Sequence, residues 1–325
     1  MTKSRMIIDV DTGIDDALAL LFALKSGDIQ LEGITTVFGN VSVEQATQNT
    51  LQVLELAGAP ADIPVAMGAG RPLFREWLGP VEHIHGDNGI GGYKLPAPKR
   101  KPIEEHAADF IVRKVNQHKQ ELTLVFVGRL TNLAIALAKD PSIAQKVKRL
   151  VLMGGALRVP GNVTPVSEAN IWGDPEAAHR VFESGMPITM VGLDVTMKTI
   201  LQEEHVEQLK RQASADDEPM VSFVEQILEY YFKAYEEHNG FYGSPLHDPM
   251  AVAVAVDPTL VDTEDHLIKI ETKGKLSAGA TLGDLRREQA VTNASVCVRV
   301  DSERFINHFI DVLAGSPSLQ SQICS

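Results

Sequence analysis

Four carboxylic acids, Asp9, Asp11, Asp15 and Asp16, stand within eight positions of the stretch "MIIDVDTGIDDALALLFAL" near the start of the chain. Apolar runs flank them on both sides. Carboxylates crowded against an apolar core raise one another's pKa or require a cation. Capping accounts for one or two of them, because an acid in a first helical turn gains ~0.3–1 kcal/mol from the helix dipole. It does not account for four. Ligands that offer only oxygen favour calcium or magnesium over zinc. An EF-hand would need Gly midway through its loop and Glu at its end. Counted from Asp9, those places are taken by Ile14 and Leu20.

Other residues with usable chemistry are spread along the chain. Asn40 closes "GITTVFGN", where an Asn after Gly is by itself a turn residue. His85 lies in the Gly-rich "HIHGDNGIGG". Met153 ends the apolar run "RLVLM", a place where Met is ordinarily core filler. Asn162, Glu168 and Asn170 share one short irregular stretch, and amides with an acid can bind several hydroxyls in fixed directions. Asp-Pro recurs at positions 140, 174, 248 and 257, which N-capping with Pro at the first helical position explains. Asp248 differs from the others in being preceded by His247. Tyr231 and Tyr235 share one helical face, where core packing is the simplest account.

The elements that must position these residues alternate. Strand-like runs are predicted at 5–10, 31–37, 122–127, 148–153, 187–193, 266–271 and 294–300. Helical spacing is predicted at 15–26, 43–58, 103–119, 131–139, 174–184, 203–213, 218–238, 248–256 and 302–314. Such alternation argues for an α/β fold with a mainly parallel central sheet flanked by helices, read as a single domain over 1–325. Sheets of this kind place ligands at the carboxyl ends of their strands. Asp9 and Asp11 project to one face at such a strand end, and Asp15 and Asp16 open the next helix. Residues 70–102 read as one long ordered loop or lid, rich in Gly and Pro.

The totals narrow the function classes. With 325 residues, 44% apolar, the chain can bury a large core, and its mean hydropathy of -0.03 is that of a soluble protein. The net charge of -13 disfavours nucleic acid or an anionic membrane as the main partner. No apolar run reaches transmembrane length and no signal peptide is read at the N-terminus, so a cytoplasmic location is expected. Cys297 and Cys324 form neither a disulfide framework nor a thiolate metal site.

"DVDTGIDDALAL" resembles the signature of the inosine–uridine preferring nucleoside hydrolases, Asp-x-Asp-Pro-Gly-x-Asp-Asp-Ala, with Thr12 where Pro is commonest. The similarity continues in family order through "GITTVFGN", "HGDNGIGG", "GRLTNLAIAL", "VLMGG", "GNVTPVSEANIWGDPEAA" and "SPLHDPMAVA", spanning residues 6 to 258. The resemblance implies the nucleoside hydrolase fold and hydrolysis of the ribose–base bond of a small-molecule nucleoside, in purine and pyrimidine salvage. It implies calcium held by Asp11, Asp16, the Val127 carbonyl and Asp248, with Asp11 activating a metal-bound water. The family usually has Thr at the place of Val127, but a backbone carbonyl does not depend on the side chain. Asp15, Asn40, Met153, Asn162, Glu168 and Asn170 would surround the ribose. His247 would serve the departing base, and His85, Tyr231 and Tyr235 would approach it. Ala169 stands where the family commonly has an aromatic residue, which removes a stacking surface. Family members are commonly homodimers or homotetramers.

Two rival readings belong to other classes. Asp9-Val10-Asp11-Thr12 matches the first motif of haloacid dehalogenase-like phosphatases, with Asp9 as nucleophile. That class needs a further acidic pair at a strand end, yet none follows "RLVLMGG" and "GLDVTMK" supplies one Asp only. A non-catalytic nucleoside- or ribose-binding protein would keep the pocket without needing both His247 and the metal acids.

Overall fold

The structure is a computed structural model that describes residues 3–286 and 291–315. Cys324 lies outside them. In chain order the strands are β1 Ser4–Val10, β2 Ile29–Thr36, β3 Val65–Met67, β4 Leu122–Phe126, β5 Arg149–Met153, β6 Ile188–Val191, β7 Ile200–Leu201, β8 Ser244–Pro245, β9 Val261–His266, β10 Ile268–Ile270, β11 Thr281–Gly283 and β12 Ala294–Val300. The α-helices are α1 Ile14–Lys25, α2 Val43–Leu56, α3 Glu82–His85, α4 Ala107–Gln117, α5 Thr131–Lys139, α6 Ala169–Gly173, α7 Pro175–Phe182, α8 Leu193–Thr196, α9 Glu203–Gln212, α10 Glu218–Asn239, α11 His247–Val256 and α12 Ser302–Leu313.

Eight strands form one sheet in the order β3-β2-β1-β4-β5-β6-β12-β9. Its pairings are parallel except for β12 with β9. Alternate residues of β1 feed two cores: Met6, Ile8 and Val10 join one with α1 and α11, while Ile7 joins the other with α4, α5 and α7. Strands covered on both faces explain the near-continuous apolar runs. From β1 the chain moves outward through β2 and β3, then returns to add β4 on the other side. The carboxyl ends of β1 and β4 therefore border the point where the strand order reverses, and a crevice forms there in such sheets.

The predicted strand 266–271 is β10, Ile268–Ile270, whereas β9, which ends at His266 and belongs to a different sheet, is not predicted. β9, "VDTEDH", is an edge strand whose side chains are largely exposed, so it carries no apolar alternation to read. The run 187–193 ends earlier than predicted, at Val191, and α8 begins two residues later. Residues 70–102 are irregular apart from the single turn of α3. Gly86, Gly89, Gly91 and Gly92 all have positive φ, between 64° and 81°, which explains why the lid stretch is rich in Gly.

Candidate functional site

The end of β1 and the start of α1 are tied together by their own acids. Asp16 accepts the backbone N–H of Asp11 at 3.0 Å on Oδ1, and that of Gly13 at 2.9 Å on Oδ2. The Asn40 amide also donates to Asp16 Oδ2, at 3.1 Å. His85 reaches the same turn from the lid, where its Nδ1 accepts the Ile14 N–H at 3.1 Å. A side chain at residue 13 would meet His85 at 2.7 Å, so Gly is required there. The loop His is thus fixed to the helix start and buried, and burial pushes its pKa down to about 3.

Asp15, Asp16 and Asp248 each bring a carboxylate oxygen within 4.8 Å of the others, and all three are buried. Asp11 adjoins them on a different set of partners: its Oδ2 accepts the Asn40 N–H at 2.6 Å and pairs with the Arg129 guanidinium. Burial raises the pKa of Asp11, opposed by the charge of Arg129. Burial first, then neighbouring carboxylates, lift Asp15 to about 7 and raise Asp16 and Asp248 well above the usual range. Asp11 Oδ1 and Asp15 Oδ1 are buried without a hydrogen-bond partner. Protein-only surroundings leave these acids protonated or repelling, and a divalent cation would replace the protons. The oxygen-only donor set fits a hard cation.

Asp9 is different. It is fully buried beneath the cluster, with Oδ2 accepting from the Thr35 hydroxyl at 2.5 Å and the Asn132 amide at 2.8 Å. Burial pushes its pKa up to about 8. Like Asp11 and Asp16, it is not among the residues that line the cavity above.

The cavity measures about 460 Å³ and opens over Asp15 and Asp248. Asn40, Met153, Asn162, Glu168, Asn170, His85, Tyr231, Tyr235 and His247 all line it, so the structure brings the dispersed candidates to one place. A larger groove of about 720 Å³ lies among Glu32, Pro64 and Phe110, away from these acids. Glu168 caps α6: it accepts the N–H groups of Asn170 at 2.8 Å, Gly155 at 2.9 Å and Ile171 at 3.2 Å. Asn162 accepts the Ala169 N–H at 3.0 Å. The Asn170 amide donates to the carbonyls of Val127 at 2.7 Å and Met153 at 3.1 Å. The Val127 oxygen therefore keeps one lone pair for a further partner.

At the other end of the cavity, His247 sits between two hydroxyls. Its Nδ1 is 2.8 Å from Thr196 Oγ1 and its Nε2 is 2.9 Å from the Tyr235 hydroxyl. Burial holds its pKa down to about 4, so the ring is neutral at pH 7. Tyr231 and Tyr235 meet edge to face with centroids 5.0 Å apart, and Tyr231 lies 5.7 Å from His85. The two tyrosines pack and line the cavity at once.

Sequence reasoning missed Arg129 and Thr196. Arg129 carried a signal: it is the lone charge in "LTLVFVGRLTNLAIAL", at the ligand end of a strand. Thr196, inside "GLDVTMK", carried none.

A sequence model of the inosine-uridine preferring nucleoside hydrolase family matches residues 6–307. Uridine nucleosidase 1 of Arabidopsis thaliana is 40% identical over 280 residues, covering 86% of this chain and 82% of that protein. The pyrimidine-specific ribonucleoside hydrolase RihA of Shewanella sp. (strain MR-4) is 40% identical over 313 residues, 95% of this chain and 96% of that one. A purine-preferring ribonucleoside hydrolase from Gardnerella vaginalis superposes with a TM-score of 0.90 at 40% identity, covering 96% of this chain and 98% of its own.

Proposed function

This chain belongs to the inosine-uridine preferring nucleoside hydrolase family, and from that premise we propose how it cleaves the N-glycosidic bond of ribonucleosides, with calcium as its metal. One observation carries the proposal. The buried acids Asp15, Asp16 and Asp248, with unpartnered oxygens on Asp11 and Asp15, sit where the cavity is walled by Asn40, Asn162, Glu168 and Asn170. A hydroxyl-rich sugar needs such donors and acceptors, and a cation needs such acids.

Asp11, Asp16, the Val127 carbonyl and Asp248 would hold the calcium. The ion would lower the pKa of water and neutralise the acids. Asp11 takes the proton of the attacking water, through the oxygen that Arg129 leaves unpaired. Asp15 holds the 2′ hydroxyl, Asn40 and Asn170 adjoin the ribose, and Asn162 and Glu168 hold the 5′ end. Met153 closes the apolar side of the sugar. The surrounding carboxylates stabilise positive charge growing on the ribosyl ring.

The departing base meets the couple of Tyr235 and His247, with His85 and Tyr231 beside it. A neutral His247 carries one proton, and both of its nitrogens face a hydroxyl that can donate or accept. It delivers a hydrogen bond through Nε2 and the Tyr235 hydroxyl, not a ready-made imidazolium. Pyrimidine and purine ribonucleosides are both candidate substrates, because relatives named for each are 40% identical to this chain. The proposal extends to salvage of purine and pyrimidine bases by a cytoplasmic homodimer or homotetramer. Among the described residues no helix is long and apolar enough to cross a membrane.

The test is incubation with inosine, uridine and p-nitrophenyl riboside without phosphate. Free base and ribose should appear, cease with a calcium chelator and return with calcium. Asp11→Asn should nearly abolish turnover. Release of phosphate from a phosphoester alone, or binding without cleavage, would overturn the proposal.

A further inference from the structure

Arg129 is the sole Arg or Lys among the described residues lining the cavity, and it is buried to 6% exposure. Its Nη1 pairs with Asp11 Oδ2 and also donates to Asn40 Oδ1 and Asn170 Oδ1, each at 3.2 Å. One nitrogen thus fixes a carboxylate and sets which way two amides face. The Asn40 amide NH2 is turned to Asp16, and that of Asn170 to the carbonyls of Val127 and Met153.

The fold builds a slot for this side chain. A Cβ on Gly39 would lie 2.5 Å from Arg129 Nη1, and one on Gly173 would lie 2.7 Å from its Cγ and 2.8 Å from its Nε. Two backbone segments distant in sequence are bare where the guanidinium passes. Beyond it, Trp77, Trp172 and Phe38 wall a second cavity of about 390 Å³ that shares Arg129 with the first. A counter-charge needed only for folding could have come from a Lys on any nearby loop. A planar guanidinium held between two glycines fixes where Nη1 points as well as supplying charge.

We propose that Arg129 is a positioning residue that holds Asp11 by one carboxylate oxygen, so that the other oxygen faces the reaction and the guanidinium and the metal ion share that carboxylate. This rests on the calcium-dependent hydrolase reading above. It has a consequence of opposite sign for two measurements. Arg129 places a positive charge beside the metal site and so weakens calcium binding, while the orientation it imposes on Asp11 raises turnover. A merely structural arginine would do the reverse to calcium, because its loss would disorder the ligands.

The experiment is calcium titration by calorimetry, with nucleoside kinetics at saturating calcium, on wild type, Arg129→Met and Arg129→Lys. Arg129→Met should bind calcium about tenfold tighter yet show kcat lowered about 100-fold, with KM for the nucleoside changed less than about threefold. Arg129→Lys keeps the charge and loses the planar group that Gly39 and Gly173 hold in place, so its calcium affinity should stay near wild type while kcat falls about tenfold. Weaker calcium binding in Arg129→Met, or unchanged kcat in either variant, overturns the proposal. If Arg129→Met does not fold, Arg129→Lys decides alone: unchanged turnover, or calcium affinity far from wild type, overturns it. Wild type that binds no calcium, or cleaves no nucleoside, would instead overturn the underlying reading.

Discussion

Replacing Gly39 with Ala is the smallest change that tests where the Asp11 carboxylate must stand. The backbone at Gly39 is not in the left-handed region, so Ala is not strained by its own φ. The new methyl has nowhere to go. It would lie 2.1 Å from Asp11 Oδ2, 2.5 Å from Arg129 Nη1 and 2.6 Å from Arg129 Cζ, against the 3.0 Å that real Cβ contacts respect. The carboxylate or the backbone must therefore move by nearly 1 Å. Asp11 Oδ2 accepts from Asn40 N at only 2.6 Å, so a shift of that size breaks or badly bends the bond. Overpacking of this kind costs about 1–3 kcal/mol of stability. Misplacing a reacting group by ~1 Å costs about 10²-fold in rate. Gly39→Ala should fold, melt a few degrees lower and lose about 100-fold in kcat, with KM nearly kept. Gly27→Ala is the control, because nothing lies within 4 Å of its Cβ position. Steady-state kinetics on uridine and inosine, with circular dichroism melts, read both effects. A Gly39→Ala enzyme with kcat within about threefold of wild type would refute the claim that Asp11's position is set by this contact.

Other perturbations probe separate parts of the argument. Tyr235→Phe removes the hydroxyl 2.9 Å from His247 Nε2 and should lower kcat about 10–100-fold with little change in KM, as should His247→Ala; full turnover in both on every nucleoside would remove the couple from the mechanism. Asp9→Asn mimics the protonated acid that burial favours, so hydrolysis should stay within about threefold of wild type, whereas a phosphatase nucleophile would not survive the change. His308 packs edge-on against Phe22, and burial depresses its pKa to about 4. The unfolded chain then binds the extra proton first, so the contribution of His308 is complete above about pH 6.5 and is lost as pH falls toward 4. Denaturant melts at pH 7.5 and pH 4.5 should show wild type losing up to about 2 kcal/mol more than His308→Gln over that interval; equal losses would show that His308 titrates normally.

The parts of the fold that could be read in the sequence are those whose burial is regular. "RMIIDV", "LTLVF" and "RLVLM" are sandwiched strands, and the long apolar face of α10 keeps helical period over its 22 residues. The parts that could not be read lack a period to detect. β3 has three residues, α6 has five, and β9 is an exposed antiparallel edge. In each case contact with neighbours far along the chain, not local pattern, decides the conformation.

The candidate site divides along the same line. Its acids announced themselves, because four carboxylates at a strand end are costly anywhere but beside a cation. What the sequence could not show was how that cost is distributed. Asp9 sits under the cluster, with Oδ2 held by Thr35 and Asn132 and Oδ1 buried without a partner. One oxygen of Asp11 is taken by Arg129, and the acids whose oxygens lie within 4.8 Å of one another are Asp15, Asp16 and Asp248. A lone Arg in a strand–turn–helix ordinarily reads as a solvated charge. Its burial depends on Gly39 and Gly173, which lie 90 positions before it and 44 after it and leave room only once β2, β4 and α6 have met. The same holds for His247, whose partner hydroxyls come from α8 and α10. Charge is written locally and its compensation is not, because in a parallel sheet adjacent strand ends belong to segments tens of residues apart. The positions where the fold supplies that compensation are therefore where single substitutions should separate catalysis from stability.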